Sequence, residues 1–206
     1  MPTLDLPNGY YELPPGKLAN VATRLDMLSL PARTLTPFPD DLTLEPSAKS
    51  DLIAYRNLFR AVGQDLLWFS RLLMSDEKLL DVLGHPQTDS FTLRRGAAII
   101  GILELSFRDA PECELSFFGL VPSEVGNGTG RALIDEAIRR AFTKPISRFW
   151  LSTCTLDHPK ALAFYRNAGF KPYARFMEIH DDPRHTGKLP LDAAAQIPLL
   201  PTDLNC

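Results

Sequence analysis

The chain of 206 residues is poor in cysteine. Cys113, Cys154 and Cys206 are odd in number and widely spaced, which fits neither a disulfide framework nor a Cys-x-x-Cys metal site. A reducing, cytoplasmic compartment is the simpler expectation. No apolar run approaches the ~18–20 residues needed to cross a bilayer. The N-terminus has no basic region followed by an apolar core, so neither a membrane partner nor a secretory signal is expected. There is no excess of positive charge either: the net charge is -3, which gives no basic footprint for nucleic acid. No internal repeat or low-complexity segment interrupts the chain.

What remains is an ordinary globular composition, 45% hydrophobic and 23% charged. The length suits one domain over 1–206, with a core at about 50–180. The 18 prolines gather toward the ends, so 1–16 and 182–206 read as extended or partly disordered flanks, and 31–47 as turn-rich. Alternation predicts a strand over 18–29. A helix over 50–61 carries Leu52, Ile53, Tyr55, Leu58 and Phe59 near one face, with Ser50 or Asp51 as its cap. A second helical patch covers about 64–83, with a capping pattern at Ser75 to Lys78. Strand-like runs at 90–95, 97–107 and 112–121 are divided by Gly96 and by Arg-Asp-Ala-Pro-Glu, so they form an antiparallel meander. A helix follows at 131–142, with an apolar stripe and two i,i+4 pairs, Asp135 to Arg139 and Glu136 to Arg140. A strand at 148–154, a helix at about 159–168 and a strand at 172–179 complete the order. The natural layering is an α/β fold: a mixed, mostly antiparallel sheet with helices on both faces.

The stretch Glu-Val-Gly-Asn-Gly-Thr-Gly-Arg (124–131) places Gly126, Gly128 and Gly130 between a strand and a helix. It lacks the spacing of a dinucleotide fingerprint and the Gly-Lys-Ser/Thr ending of an NTPase loop. Backbone amides around Gly126 to Arg131, together with the positive end of the helix dipole, make such a turn an anion site. A tight turn without a ligand is the alternative.

A second motif lies at 158–170, His-Pro-Lys-Ala-Leu-Ala-Phe-Tyr-Arg-Asn-Ala-Gly-Phe. With the glycine loop, in this order, it resembles the GNAT superfamily of acyl-CoA-dependent N-acetyltransferases. The resemblance runs from about 97 to 178, and Val125 and His158 depart from the Arg/Gln and Asn usual in the family. It implies that the two central strands splay apart and that the loop holds the pyrophosphate of acetyl-CoA. The implied cofactor-binding residues are Leu120, Val121, Val125, Gly126, Asn127, Gly128, Thr129, Gly130, Arg131, His158, Ala161 and Phe164. The resemblance also implies a backbone N–H near Leu120 for the oxyanion and Tyr165 as the group that protonates the leaving sulfur, an aromatic that otherwise packs the last helix on the sheet. Glu114 aligns with the catalytic glutamate of the histone-acetylating branch, and alternation places Glu114, Ser116 and Phe118 on one strand face. A water chain in place of Glu114 stays open.

The expected function is transfer of an acetyl group from acetyl-CoA to a primary amine, of a small molecule in preference to a protein. A non-catalytic acyl-CoA-binding or sensor module with the same fold is the alternative. No metal is needed, although His180, Asp181, Asp182 and His185 lie close together in sequence. Candidates for the acceptor side are Trp68, Phe69, Arg71, Tyr10, Tyr11 and the segment 180–185. Cys154 reads as a packed thiol, and an exposed edge strand is compatible with a homodimer.

Overall fold

The computed structural model describes residues 6–47 and 51–202. Ser50, Cys206 and the outermost parts of both flanks lie outside these residues. Seven strands form one sheet in the order β2-β3-β4-β5-β6-β1-β7. They are β1 (Lys17–Met27), β2 (Leu42–Pro46), β3 (Thr88–Arg95), β4 (Ala98–Ser106), β5 (Glu112–Leu120), β6 (Arg148–Cys154) and β7 (Lys171–Asp181). Every neighbouring pair is antiparallel except β5 and β6. That parallel pair holds register only from Glu112 with Arg148 to Glu114 with Trp150, after which the strands part. This is the splay the resemblance implies.

Helices cover both faces. α4 (Thr129–Ala141) and α5 (Ala161–Ala168) lie on one. There Leu133, Ile134, Ala137, Ile138 and Ala141 pack with Leu25, Leu103, Leu105, Leu115, Phe149 and Leu151. On the other, α1 (Leu52–Gly63), α2 (Ser70–Leu73) and α3 (Asp76–Gly84) build a second core around Tyr55, Phe59, Leu79, Leu83 and Ile102. Strand β4 is buried on both sides because it lies between these layers.

Several elements differ from the sequence reading, each for a physical reason. The turn-rich 31–47 contains β2, whose Leu42 is buried, a strand too short to show alternation. The helical patch 64–83 is broken: Leu67 is left-handed and the amide of Trp68 donates to the carbonyl of Gly63. The indole folds back onto Gly63, where a Cβ would lie 2.5 Å from the ring. Asp51 caps α1 by accepting from the amide of Ala54, and Ser75 caps α3 by accepting from that of Lys78. Ile53 is exposed, and Val62 takes the buried place instead.

Asp135 does not pair with Arg139. It is fully buried and gripped by the guanidinium of Arg33 and the amide of Thr36, which fastens the segment after β1 to α4. Arg139 and Arg140 both bond Glu136 at 2.8 Å. Past β7 the chain turns back: a buried Asp182–Arg184 pair and guanidinium bonds to the carbonyls of Ala193 and Ile197 set Leu189, Ala193 and Ala194 into the second core. Among the described residues no helix is long and apolar enough to cross a membrane.

Candidate active site

Two of the three loop glycines are required by backbone geometry. Gly126 and Gly128 have φ of +94° and +84°, a region costly for residues with a Cβ. Gly128 stands at the N-cap of α4 with no side chain capping the helix. As a result the amides of Gly126, Asn127, Gly128, Thr129 and Gly130 have no acceptor among the described residues. These donors, together with the positive helix end, form a nest for an anion.

The amides of Val125 and Arg131 do not join the nest, since they bond the carbonyls of Pro122 and Gly128. The Val125 side chain is half in solvent. Thr129 turns inward instead: its hydroxyl accepts from Arg95 at 2.9 Å and donates to Glu124 at 3.1 Å. Arg95 also pairs with Glu124 at 3.2 Å, so β3 braces the loop from behind. The sequence reading assigned no role to Arg95 or Glu124, because nothing in the pattern ties residue 95 to residue 129.

The second feature is the inner edge of β5. The amide of Val121 donates to the carbonyl of Ile100 on β4. Strand alternation therefore turns the backbone groups of Leu120 and Phe118 to the opposite side, into the splay where β6 no longer pairs. Leu120, and not Val121, presents a free amide. Phe164 and Leu120 stand 3.7 Å from the position of a Cβ at Gly130, so loop, strand and α5 converge there. Ala161 opens α5 and His158 lies exposed in the turn before it, its Nδ1 accepting from the amide of Lys160.

A β-bulge changes which groups share a face. Leu115 pairs with Leu105 and Phe117 with Glu104, which leaves Ser116 as an extra residue. Cys113 and Leu115 before the bulge, and Phe118 and Leu120 after it, point to the α4–α5 side. Glu114 and Phe117 point to the α1–α3 side. The expected sharing of one face by Glu114 and Phe118 is thus overturned by one inserted residue.

Tyr165 and Glu114 consequently flank β5 from opposite sides. The Tyr165 ring packs against Phe118, Phe164 and Phe170, and its hydroxyl bonds no described residue. Burial, with the negative charge of Asp157 nearby, pushes its pKa well above that of an ordinary tyrosine, so the hydroxyl keeps its proton. Glu114 is half-buried, and loss of water raises its carboxyl above the usual range. The Ser116 hydroxyl and the charges of Arg71 and Arg24 partly offset that rise, while Asp109 adds to it. Cys154 is a protonated thiol: burial, with Asp157 beside it, lifts it to about 11.

On the α1–α3 side the acceptor candidates separate. Trp68 packs at a tilt against Phe59 and edge-to-face against Phe117, and its indole N–H reaches Asp157 at 3.3 Å across the open end of the splay. Asp157 also accepts from the Thr153 hydroxyl at 2.8 Å and from the amide of Cys154 at 2.9 Å. Arg71 pairs at 2.6 Å with fully buried Glu104, which accepts from the Tyr55 hydroxyl at 2.7 Å. The ring of Phe69 lies 4.6 Å from that of His180, and His180 reaches Asn20 at 3.5 Å. Tyr10 and Tyr11 are exposed and away from these groups. Asp181 pairs with Lys17, Asp182 with Arg184, and His185 bonds the carbonyl of Leu200. Among the described residues no cluster of three or more His, Cys, Asp or Glu side chains is arranged to hold a metal ion.

A sheet opened at its middle, beside a nest of free amides at a helix start, defines an acyltransferase fold. Residues 56–170, more than half the chain, match the model of the acetyltransferase (GNAT) family, and the chain belongs to that family. Among solved structures it is similar to a GCN5-related N-acetyltransferase from Sphaerobacter thermophilus, with 14% identity and a TM-score of 0.60. That match covers 79% of this chain but 52% of the other, so this chain spans about half its length. An acetyltransferase from Thermus thermophilus matches at 20% identity and TM-score 0.51, covering 68% of this chain and 97% of that one. An aminoglycoside acetyltransferase from an uncultured soil metagenomic sample, in complex with sisomicin, matches at 18% and 0.52, covering 63% and 88%. At these identities the likeness is one of fold. No curated protein matches the chain by sequence.

Proposed function

We propose that the protein moves an acetyl group from acetyl-CoA to a primary amine of a small molecule. The observation that carries this reading is the placement of Tyr165 and Glu114 on opposite sides of a strand whose free edge leads to the amide nest. The residues present fit acetyl-CoA. The amides of 126–130 suit a pyrophosphate, the unpaired edge at Phe118 and Leu120 suits an extended pantetheine chain, and Ala161 and Phe164 line the far side. When bound, acetyl-CoA supplies an activated acetyl thioester.

The chain's own groups divide the remaining work. The amide of Leu120 donates to the oxygen that gains negative charge during transfer, a contribution of about 3–4 kcal/mol in other enzymes. Glu114, its carboxyl raised by burial, takes a proton from the incoming amine on the α1–α3 side. Tyr165, held neutral, gives a proton to the departing sulfur on the α4–α5 side. The bridge from Trp68 to Asp157 narrows the acceptor side, which favours a small molecule over a protein segment.

Calorimetry with CoA, followed by thiol release from acetyl-CoA across a panel of amines, tests the reading. Binding with saturable, amine-dependent thiol release is expected. Binding without release on every amine would make the protein an acyl-CoA-binding module, and absence of binding at millimolar CoA would sink both readings.

A further inference from the structure

Among the described residues Arg24 is an arginine with no hydrogen-bond or ion-pair partner. It lies on β1 on the α1–α3 side, half-buried, with its guanidinium 4.5 Å from the Phe176 ring centroid and 5.1 Å from that of Trp150. Those two cation–π contacts use none of its N–H groups as hydrogen-bond donors. No carboxylate or carbonyl accepts from it among the described residues. The nearest acid on its own strand, Asp26, is taken by Arg148 at 3.4 Å. Glu114 feels the charge of Arg24 without forming an ion pair with it.

The sheet register sets the spacing. Trp150 on β6 pairs with Glu114 on one side and with Asp26 of β1 on the other. The backbones carrying Glu114 and Arg24 are therefore two strand spacings apart across the sheet and two residues offset along it, about 12 Å. Ser152, opposite Arg24 on β6, is exposed although its strand is central, so the floor between them is open. One further donor among the described residues is buried without a partner, Nε of Arg71; Oδ1 of Asn20, an acceptor, is likewise unpartnered. The unanswered donors, the N–H groups of Arg24 and Nε of Arg71, suit an anionic group on the ligand.

Building on the acetyl-transfer reading, we propose that the acceptor is an amino acid whose amine faces Glu114 and whose carboxylate is held by the guanidinium of Arg24. A guanidinium seated between two aromatic rings can bind a carboxylate through two parallel N–H bonds. The same positive charge disfavours a polycationic acceptor.

Matched acceptors test this. With saturating acetyl-CoA, kcat/KM is measured for phenylalanine against phenethylamine and for lysine against cadaverine. The amino acid of each pair is expected to lead by about 10- to 100-fold, the size of one charge-assisted bidentate contact. Arg24→Gln is expected to erase that lead through KM while leaving CoA affinity unchanged in calorimetry, and Arg24→Lys to retain part of it. A second readout does not depend on turnover: the Arg24 guanidinium lies 5.1 Å from the centroid of the Trp150 ring, so amino acids, and not their decarboxylated amines, should change the tryptophan fluorescence saturably. Equal or better use of the decarboxylated amines or of sisomicin overturns the inference while leaving acetyl transfer standing. Absence of a fluorescence response overturns it whatever the activity. Failure to bind CoA strikes the underlying reading instead.

Discussion

The α4–α5 face and the α1–α3 face meet along β5, and they are made from different parts of the chain. The first is built mainly of backbone, from stretches nearly continuous in sequence: the free edge at 118–120, the amides of 126–130 and the first turn of α5. The second is built of side chains drawn from residues 20, 24, 71, 104, 114 and 180, on five elements. The proposed backbone recognition asks only for positive φ at two glycines and a free helix start, and so makes no demand on the side chain of Val125, where the family favours Arg or Gln. Side-chain recognition depends on each partner being present, so the proposed acceptor specificity is assigned to this face.

The largest expected effect would break the first face. Gly128→Asp forces a side chain into a backbone conformation with φ of +84° and sets a carboxylate among the nest amides. CoA affinity should fall ~1,000-fold in calorimetry, ~4 kcal/mol, with the fold retained in circular dichroism. Unchanged affinity would remove the loop from CoA binding.

Next comes a break on the second face. Arg71→Met leaves Glu104 buried without its ion-pair partner and should lower stability by ~3 kcal/mol in urea denaturation. Because the network of Arg71, Glu104 and Tyr55 has no bond to the nest, CoA affinity should change by less than about threefold. A parallel loss of CoA binding would show that the two faces are one cooperative unit.

A smaller effect separates the two proposed proton carriers. Glu114→Gln and Tyr165→Phe should each lower kcat by ~100-fold, ~2.7 kcal/mol, but their pH profiles should differ. A base acts when deprotonated, so activity should rise with pH through the carboxyl of Glu114, and that limb should lie above the usual glutamate range because burial raises it. Glu114→Gln should flatten this limb, while Tyr165→Phe should leave it in place. An unaltered limb in Glu114→Gln would hand the base role to a water chain.

This contrast also explains what could be read without coordinates. The splay, the glycine loop and the helix at 161–168 follow from local patterns and from the family resemblance they support. The bulge at Ser116 does not, because one extra residue on β5 is defined only by the register of β4 across from it. It moved Glu114 to the face opposite Phe118. Asp157 and Arg24 escaped for a related reason: each looks ordinary in its own segment and gains meaning only from Trp68, Tyr165, Trp150 and Phe176, which the fold brings from elsewhere. Asp135 looked like a surface helix acid and is a buried anchor, because Arg33 is 102 residues away.

The smallest expected effect bears on the three glycines themselves. Gly130 has no positive φ, and a Cβ there would sit 3.7 Å from Leu120 and Phe164, an ordinary van der Waals distance. Gly130→Ala therefore needs neither backbone strain nor displaced neighbours. It also gains ~1 kcal/mol of helix propensity within the first turn of α4. CoA affinity should stay within about threefold of wild type, with stability equal or slightly higher. Gly126→Ala, at φ of +94°, carries the strain that Gly130→Ala avoids and should weaken CoA binding more. If instead Gly130→Ala proves the more damaging, then the ligand must press against Gly130 itself. The third glycine would then serve close approach at the mouth of the splay, and the nest would extend one residue further along α4 than its free amides indicate.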